Sequence, residues 1–237
     1  MQPSARLPGD LSLGAVRLRT ADVTRAGAWL ERVLGLRPLA EGTWGASPAT
    51  PLVALRAVPG ARRVPRRGLL GLYHYALLLP SRGDLGRFLL HLEDLAEPFG
   101  ASDHLVSEAL YLTDPDGLTV EVYADRPRER WTRTGDALDM ALDPLDRPGL
   151  EEAANGRRWS GVPEDTRMGH LHFYVGDLAA AERHYVRGLG FDVMTRRLPG
   201  ALFVAAGGYH HHVGLNTWAA GSPVAGPGDA GLDEWTM

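Results

Sequence analysis

No cysteine occurs among the 237 residues, which removes disulfides, zinc-thiolate sites, iron-sulfur clusters and thiol nucleophiles together. Histidine, aspartate and glutamate remain as the side chains able to hold a metal. Long apolar runs are missing too. No stretch approaches the roughly 20 residues of a membrane span, and the opening MQPSARLPGD lacks the apolar core of a secretory signal. A cytoplasmic protein without membrane contact is expected. Positive charge is not in excess: 25 Lys and Arg stand against 29 Asp and Glu, a formal net charge of -4. Nucleic acid is therefore not an expected partner, and small-molecule chemistry is the expected class.

What is present is an internal repeat in a chain of 44% hydrophobic content, enough for one or two cores. LGAVRLRTADVTRAGAWLERVLGLRPL (13–39) matches MGHLHFYVGDLAAAERHYVRGLGFDVM (168–194) without a gap. Asp22 falls on Asp177, each placed to cap an amphipathic helix that follows an alternating strand. GLYHYALLLPSRGDLGRFLLHLED (71–94) opens a looser copy that closes in YLTDPDGLTVEVYAD (111–125), two strands joined by an Asp-Pro-Asp-Gly turn. Each copy reads strand, helix, three strands. After the Pro/Gly-rich AAGSPVAGPGDA (219–230), GLDEWTM (231–237) resembles the start of a fourth copy, so a chain truncated in that copy is expected. The basic stretch ARRVPRRG (61–68) reads as a solvated loop. The expected organisation is a first domain over 11–125, a connector over 126–166 and an incomplete second domain over 167–237.

Strand alternation decides which side chains share a face. In GHLHFYV the apolar set is Leu171, Phe173 and Val175, leaving His170 and His172 opposite. His74 lies opposite the apolar set of YHYALLL, and Glu121 lies opposite Val120 and Val122. In HHHVGLNTW the same parity puts His211 with Val213 and Leu215, and groups His210 and His212 with Gly214 and Asn216. A lone strand histidine is usually a hydrogen-bonded or solvent-facing residue, but His74 and His170 are equivalent in two copies. A buried Glu121 needs a compensating cation. Two imidazoles and a carboxylate match the facial triad of non-haem iron(II) sites, with His74, Glu121 and His170 as the candidate ligands. The first copy carries Ala15 at the matching place.

These motifs, above all GLYHYALLLPSRGDLGRFL, DHLVSEALYLTDPDG, EVYADRP, MGHLHFYVGDL and AGGYHHHVGLNTW, resemble the vicinal oxygen chelate superfamily of glyoxalases, bleomycin-resistance proteins and extradiol dioxygenases, and within it the catechol 2,3-dioxygenases. The resemblance implies an α+β fold of paired βαβββ modules whose U-shaped mixed sheets surround a metal pocket. The copies ending at Asp125 and beginning at Met168 would pair, since that pairing alone collects His74, Glu121 and His170. It further implies Fe(II), with Mn(II) the alternative, and as substrates a small aromatic diol and dioxygen. An acid-base histidine would be His212 or His210, Tyr111 stands ten residues before the Glu ligand, and His104 would support the pocket. A homo-oligomer is expected. The competing readings are a glyoxalase-type metal-dependent isomerase, which wants a further carboxylate, and a metal-free binding protein of the bleomycin-resistance type, which has no need of a triad.

Overall fold

The computed structural model describes residues 6–40, 42–65 and 68–237; Arg66 and Arg67 of the basic loop lie outside them. The first copy forms β1 (Val16–Thr20), α1 (Val23–Trp29), β2 (Arg37–Ala40), β3 (Thr43–Ser47) and β4 (Thr50–Ala57). The second forms β5 (Gly71–Leu78), α2 (Arg82–Asp94), β6 (Gly100–Asp103), β7 (Ser107–Thr113) and β8 (Thr119–Asp125). Two short strands, β9 (Arg133–Thr134) and β10 (Ala137–Leu138), and α3 (Arg147–Ala154) occupy the connector. The third copy contributes β11 (Arg167–Tyr174), α4 (Leu178–Glu182), β12 (Asp192–Thr195), β13 (Ala201–Ala205) and β14 (Val213–Asn216), and β15 (Gly231–Trp235) closes the chain. No helix among the described residues is long and apolar enough to cross a membrane.

The matching segments fold alike because they carry the same capping chemistry. Asp22 accepts from the Arg25 N–H and Asp177 from the Ala179 N–H, satisfying backbone donors that a helix start leaves free. Both helices widen into a π turn, over Leu30–Leu34 and Arg183–Gly188. Gly35 ends the first in the left-handed region at φ 73°, where a side chain is costly and glycine is not.

The strands assemble into an eight-stranded sheet, β12-β13-β14-β11-β5-β8-β7-β6, and a five-stranded sheet, β15-β1-β4-β3-β2. First strands meet antiparallel at the centre of the large sheet, β5 against β11, and β15 meets β1 in the same manner. Copy two is thus paired with copy three, and copy one with the short fourth segment. The sheets cut across the linear grouping of 11–125 and 167–237, because the connector carries the chain back to lay β11 beside β5. The main core lies under α1 and α2, where Leu34, Phe88, Leu89 and Val120 are fully buried. Helix α3 clamps α2: a Cβ on Gly86 would lie 2.1 Å from the Leu150 carbonyl oxygen, so glycine sets that approach. Replacing Phe88 by Ala would cost about 3–5 kcal/mol.

The β7–β8 turn contains a buried carboxyl group. Asp114 Oδ1 accepts from the Asp116 and Leu118 N–H groups at 2.8 Å each. Burial, opposed by the backbone donors and aided by the neighbouring charge of Asp116, lifts its pKa from 3.8 to about 7. The folded state therefore holds a proton that the unfolded chain releases, and this contribution to stability disappears as pH rises from about 4 through about 7. Asp114→Asn keeps the acceptor and removes the titration. Its unfolding midpoint is expected to fall less than the parent's between about pH 5 and about pH 8, and equal falls in denaturant titrations would refute the assignment.

Candidate metal centre

Three neighbouring strands at the middle of the large sheet carry the candidate ligands. Ala76 on β5 stands in register with Glu121 on β8 and with His170 on β11, so a small side chain lies between the two larger ones. His74 is two residues earlier on β5 and shares the face. A bulge in β11 between Met168 and His170 contains Gly169, where a Cβ would fall 2.0 Å from the Tyr123 hydroxyl.

The three ligand atoms converge closely. His74 Nε2 and His170 Nε2 each stand 3.0 Å from Glu121 Oε2 and 3.3 Å from one another. Donors 90° apart with bonds of about 2.1 Å to a common ion are separated by about 3.0 Å, so the triangle has the size of one octahedral face. His74 is 3% exposed, Glu121 2% and His170 1%. Their Nδ1 atoms, on His74 and His170, are buried without a protein partner. Burial pushes the Glu121 carboxyl up, but the charges and hydrogen bonds of His170 and His74 outweigh it and hold the group well below the usual carboxylate range. Burial lowers His74, against the pull of Glu121. Neutral imidazole nitrogen and ionised carboxylate are the forms that metal ligation requires. The donor set thus fits a hard or borderline divalent ion, which His74, Glu121 and His170 would hold.

A cavity of about 150 Å³ opens beside the three residues, with Tyr111, His104, His172 and His211 in its wall. His104 Nδ1 donates to the Ala141 carbonyl at 2.8 Å, so His104 Nε2 is an acceptor and the Tyr111 hydroxyl donates to it at 2.7 Å. Burial, reinforced by the negative charge of Glu121, holds the Tyr111 phenol well above its ordinary pKa. Both residues expected at the pocket from the sequence are in it.

The triple histidine requires a correction. Neither His210 nor His212 lines the cavity; His211 does, with its ring centroid 4.1 Å from that of His170. Paired strand begins at Val213, and residues 209–212 run as a bend, so the alternation of β14 does not extend back through them. His212 turns into a separate crevice beside Leu11 and Tyr209, accepts from the Ala206 N–H at 3.2 Å, and is lowered to about 4 by burial and then by His210. His210 lies behind His211, its Nδ1 at 2.8 Å from His211 Nδ1 and its Nε2 at 2.8 Å from Asp125 Oδ1. Among the described residues the small sheet has no such centre. Ala15 and Glu234 occupy the places of His170 and His74, and Glu234 pairs instead with Arg17 at 3.0 Å.

Comparison with known proteins accords with this geometry. Residues 12–122 match the model of the Glyoxalase/Bleomycin resistance protein/Dioxygenase superfamily. A catechol-2,3-dioxygenase of Bacillus subtilis (strain 168) is 46% identical over 189 residues, covering 78% of this chain. This chain belongs to the glyoxalase/bleomycin resistance/dioxygenase superfamily. As a superfamily member it spans 66% of that relative's length. Its fold is also that of a Bacillus subtilis subsp. subtilis str. 168 protein described as a dioxygenase, with a TM-score of 0.59 over 98% of this chain and 67% of the other at 14% identity. A glyoxalase I variant from Zea mays gives a TM-score of 0.51 over 86% of this chain and 66% of the other at 12% identity. The mixed α+β architecture of curled sheets expected from the sequence is the superfamily's.

Metal binding at the triad carries a measurable consequence. Fe(II) or Mn(II) at a hundredfold excess over Kd is expected to stabilise the protein by about 2.7 kcal/mol, read as a rise in Tm. His74→Ala and Glu121→Gln are expected to lose both that rise and near-stoichiometric metal in elemental analysis. Undiminished metal in either variant would place the ion elsewhere.

Proposed function

We propose that the protein is a non-haem Fe(II) extradiol dioxygenase acting on catechol or a substituted catechol. The observation that carries this reading is the octahedral-face spacing of His74, Glu121 and His170, read together with the relative named catechol-2,3-dioxygenase. Three ligands, rather than the larger set of a glyoxalase-type isomerase, are collected among the described residues. Convergence of three buried ligand atoms on one point, for which a metal-free binding pocket has no need, also favours this reading over a metal-free binding protein.

Iron held by the triad would supply open coordination positions where a diol and dioxygen meet, and would favour the ionised diol. The chain's own residues then handle protons and orientation. With Asp125 accepting from His210 Nε2, we assign His210 Nδ1 as the acceptor of His211 Nδ1–H. This leaves His211 Nε2 as a bare base in the cavity wall, within reach of a diol proton. Asp125, whose side chain is 24% exposed, connects that pair to the surface. Tyr111, whose hydrogen is committed to His104, offers an oxygen lone pair to a substrate hydroxyl. Aromatic residues Tyr73, Phe203 and Trp218 wall the same cavity and suit a flat ring. Overall, both oxygen atoms of dioxygen enter the product, and the ring opens at the carbon–carbon bond next to the diol.

Catechol-dependent oxygen uptake by the iron-loaded protein tests the reading directly. His211→Ala is expected to lower kcat by about 10²–10⁴-fold with metal content retained, whereas His212→Ala stays within about twofold of the parent, because its ring lies outside the cavity. Loaded protein that takes up no oxygen with catechol or methylated catechols would defeat the proposal, and a reversed order of the two variants would return the acid-base role to His212.

A further inference from the structure

The cavity wall carries an imidazole that has no part in the triad. His172 lies two residues beyond His170 on the same face of β11, is 4% exposed, and has its ring centroid 4.9 Å from that of His74. In register it stands beside Gly214 of β14, where a Cβ would come within 2.8 Å of the imidazole. The absent side chain lets the ring lie across β14 and reach Asn216, which is fully buried.

Two hydrogen bonds then decide which ring nitrogen carries the hydrogen. The Trp218 backbone N–H donates to Asn216 Oδ1 at 2.9 Å. A backbone N–H cannot accept, so the amide is held with its NH₂ toward His172. Asn216 Nδ2 is 2.9 Å from His172 Nε2, and an amide nitrogen donates, so Nε2 accepts. A neutral imidazole that accepts at Nε2 carries its hydrogen on Nδ1. No acceptor for that hydrogen is found among the described residues, and Nδ1 is not sealed by protein. Tyr73, Phe203 and Trp218 surround the ring. An N–H without a protein acceptor in the wall of a cavity is matched by an oxygen atom that a ligand brings in.

We infer that His172, locked by Asn216 as its Nδ1–H tautomer, donates a hydrogen bond to an oxygen atom entering the cavity beside His74 and His170. The identity of that oxygen rests on the dioxygenase reading: it belongs either to the diol or to dioxygen. Asn216 is a positioning residue that acts through His172, and Gly214 provides the space.

Nitrogen NMR of histidine-labelled, metal-free protein reads the tautomer without any turnover. His172 is expected to show a protonated Nδ1 and a bare Nε2, with the preference lost in Asn216→Leu; a protonated Nε2 in the parent overturns the inference. For the loaded protein, His172→Phe is expected to change one of two quantities by about tenfold. Weaker anaerobic binding of catechol identifies the diol oxygen, and a raised KM for dioxygen identifies the other source. His172→Gln, which keeps an N–H donor, is expected to recover part of the loss while metal content stays constant in all variants. An unchanged catechol affinity together with an unchanged KM for dioxygen overturns the inference. Should the parent fail to consume oxygen with catechol, the dioxygenase reading falls by itself, while the tautomer signal and catechol binding still decide the donor.

Discussion

The antiparallel pairing of β5 with β11 is the constraint on which the centre depends. Both are first strands of a repeated unit, and laying equivalent strands antiparallel about a local twofold brings equivalent residues together. His74 and His170 meet for this reason, although 96 positions separate them. Glu121 follows from a second, local relation: β8 is the parallel neighbour of β5 within its own unit. A one-residue slip along β5–β11 would turn the whole ligand face of one strand toward the helices, so register and chemistry are inseparable here.

Holding three ionisable side chains almost completely out of water opposes folding unless they neutralise one another. The sheet manages this by placing small residues around them. Ala76 keeps the row between Glu121 and His170 shallow, Gly169 leaves room for Tyr123, and Gly214 leaves room for His172. The hydroxyl of Tyr123 is in turn bonded to that of Tyr209 at 2.6 Å, so the layer behind the histidines is itself hydrogen-bonded. Each polar atom near the centre thus has either a fixed partner or an opening to the cavity, apart from Nδ1 of His74 and His170.

Much of this was legible in the amino-acid order where strands are long and regular. Over 71–78, 119–125 and 167–174 the alternation of apolar and polar residues puts His74, Glu121 and His170 on one face, whereas Tyr111 is reached only through the family resemblance. The gapless match of 13–39 to 168–194 likewise revealed the repeated unit with both aspartate caps. Alternation failed at 210–212, because parity assumes pleated backbone and these residues bend ahead of β14. Linear order alone does not group the sheets, since strand pairing across a 41-residue connector depends on how the chain turns back; the pairing of copies two and three is legible only through the ligand set that the resemblance implies. The tautomers of His104, His172 and His210 were beyond reach for a related reason. They depend on the carbonyl of Ala141, the N–H of Trp218 and the carboxylate of Asp125, partners distant in sequence.

The five-stranded sheet provides an internal control on these arguments. Strands β1 and β15 also meet antiparallel, and Ala15 and Glu234 sit where the large sheet has His170 and His74, yet the electrostatics differ in kind. Arg17 and Glu234 pair with side chains 49% and 53% exposed, where water solvates each charge and the pair contributes little. Asp233 is shared between Arg19 and Arg56, so its charge is already matched by protein. Carboxylate and cation there compensate one another without any added ion. In the large sheet, among the described residues, Glu121 pairs with the imidazoles of His74 and His170 and with no arginine, and a divalent ion is what those three side chains would hold. The same backbone pairing thus yields a candidate cation site in one sheet and an ion-paired wall in the other, and side-chain charge balance, rather than fold, separates the two.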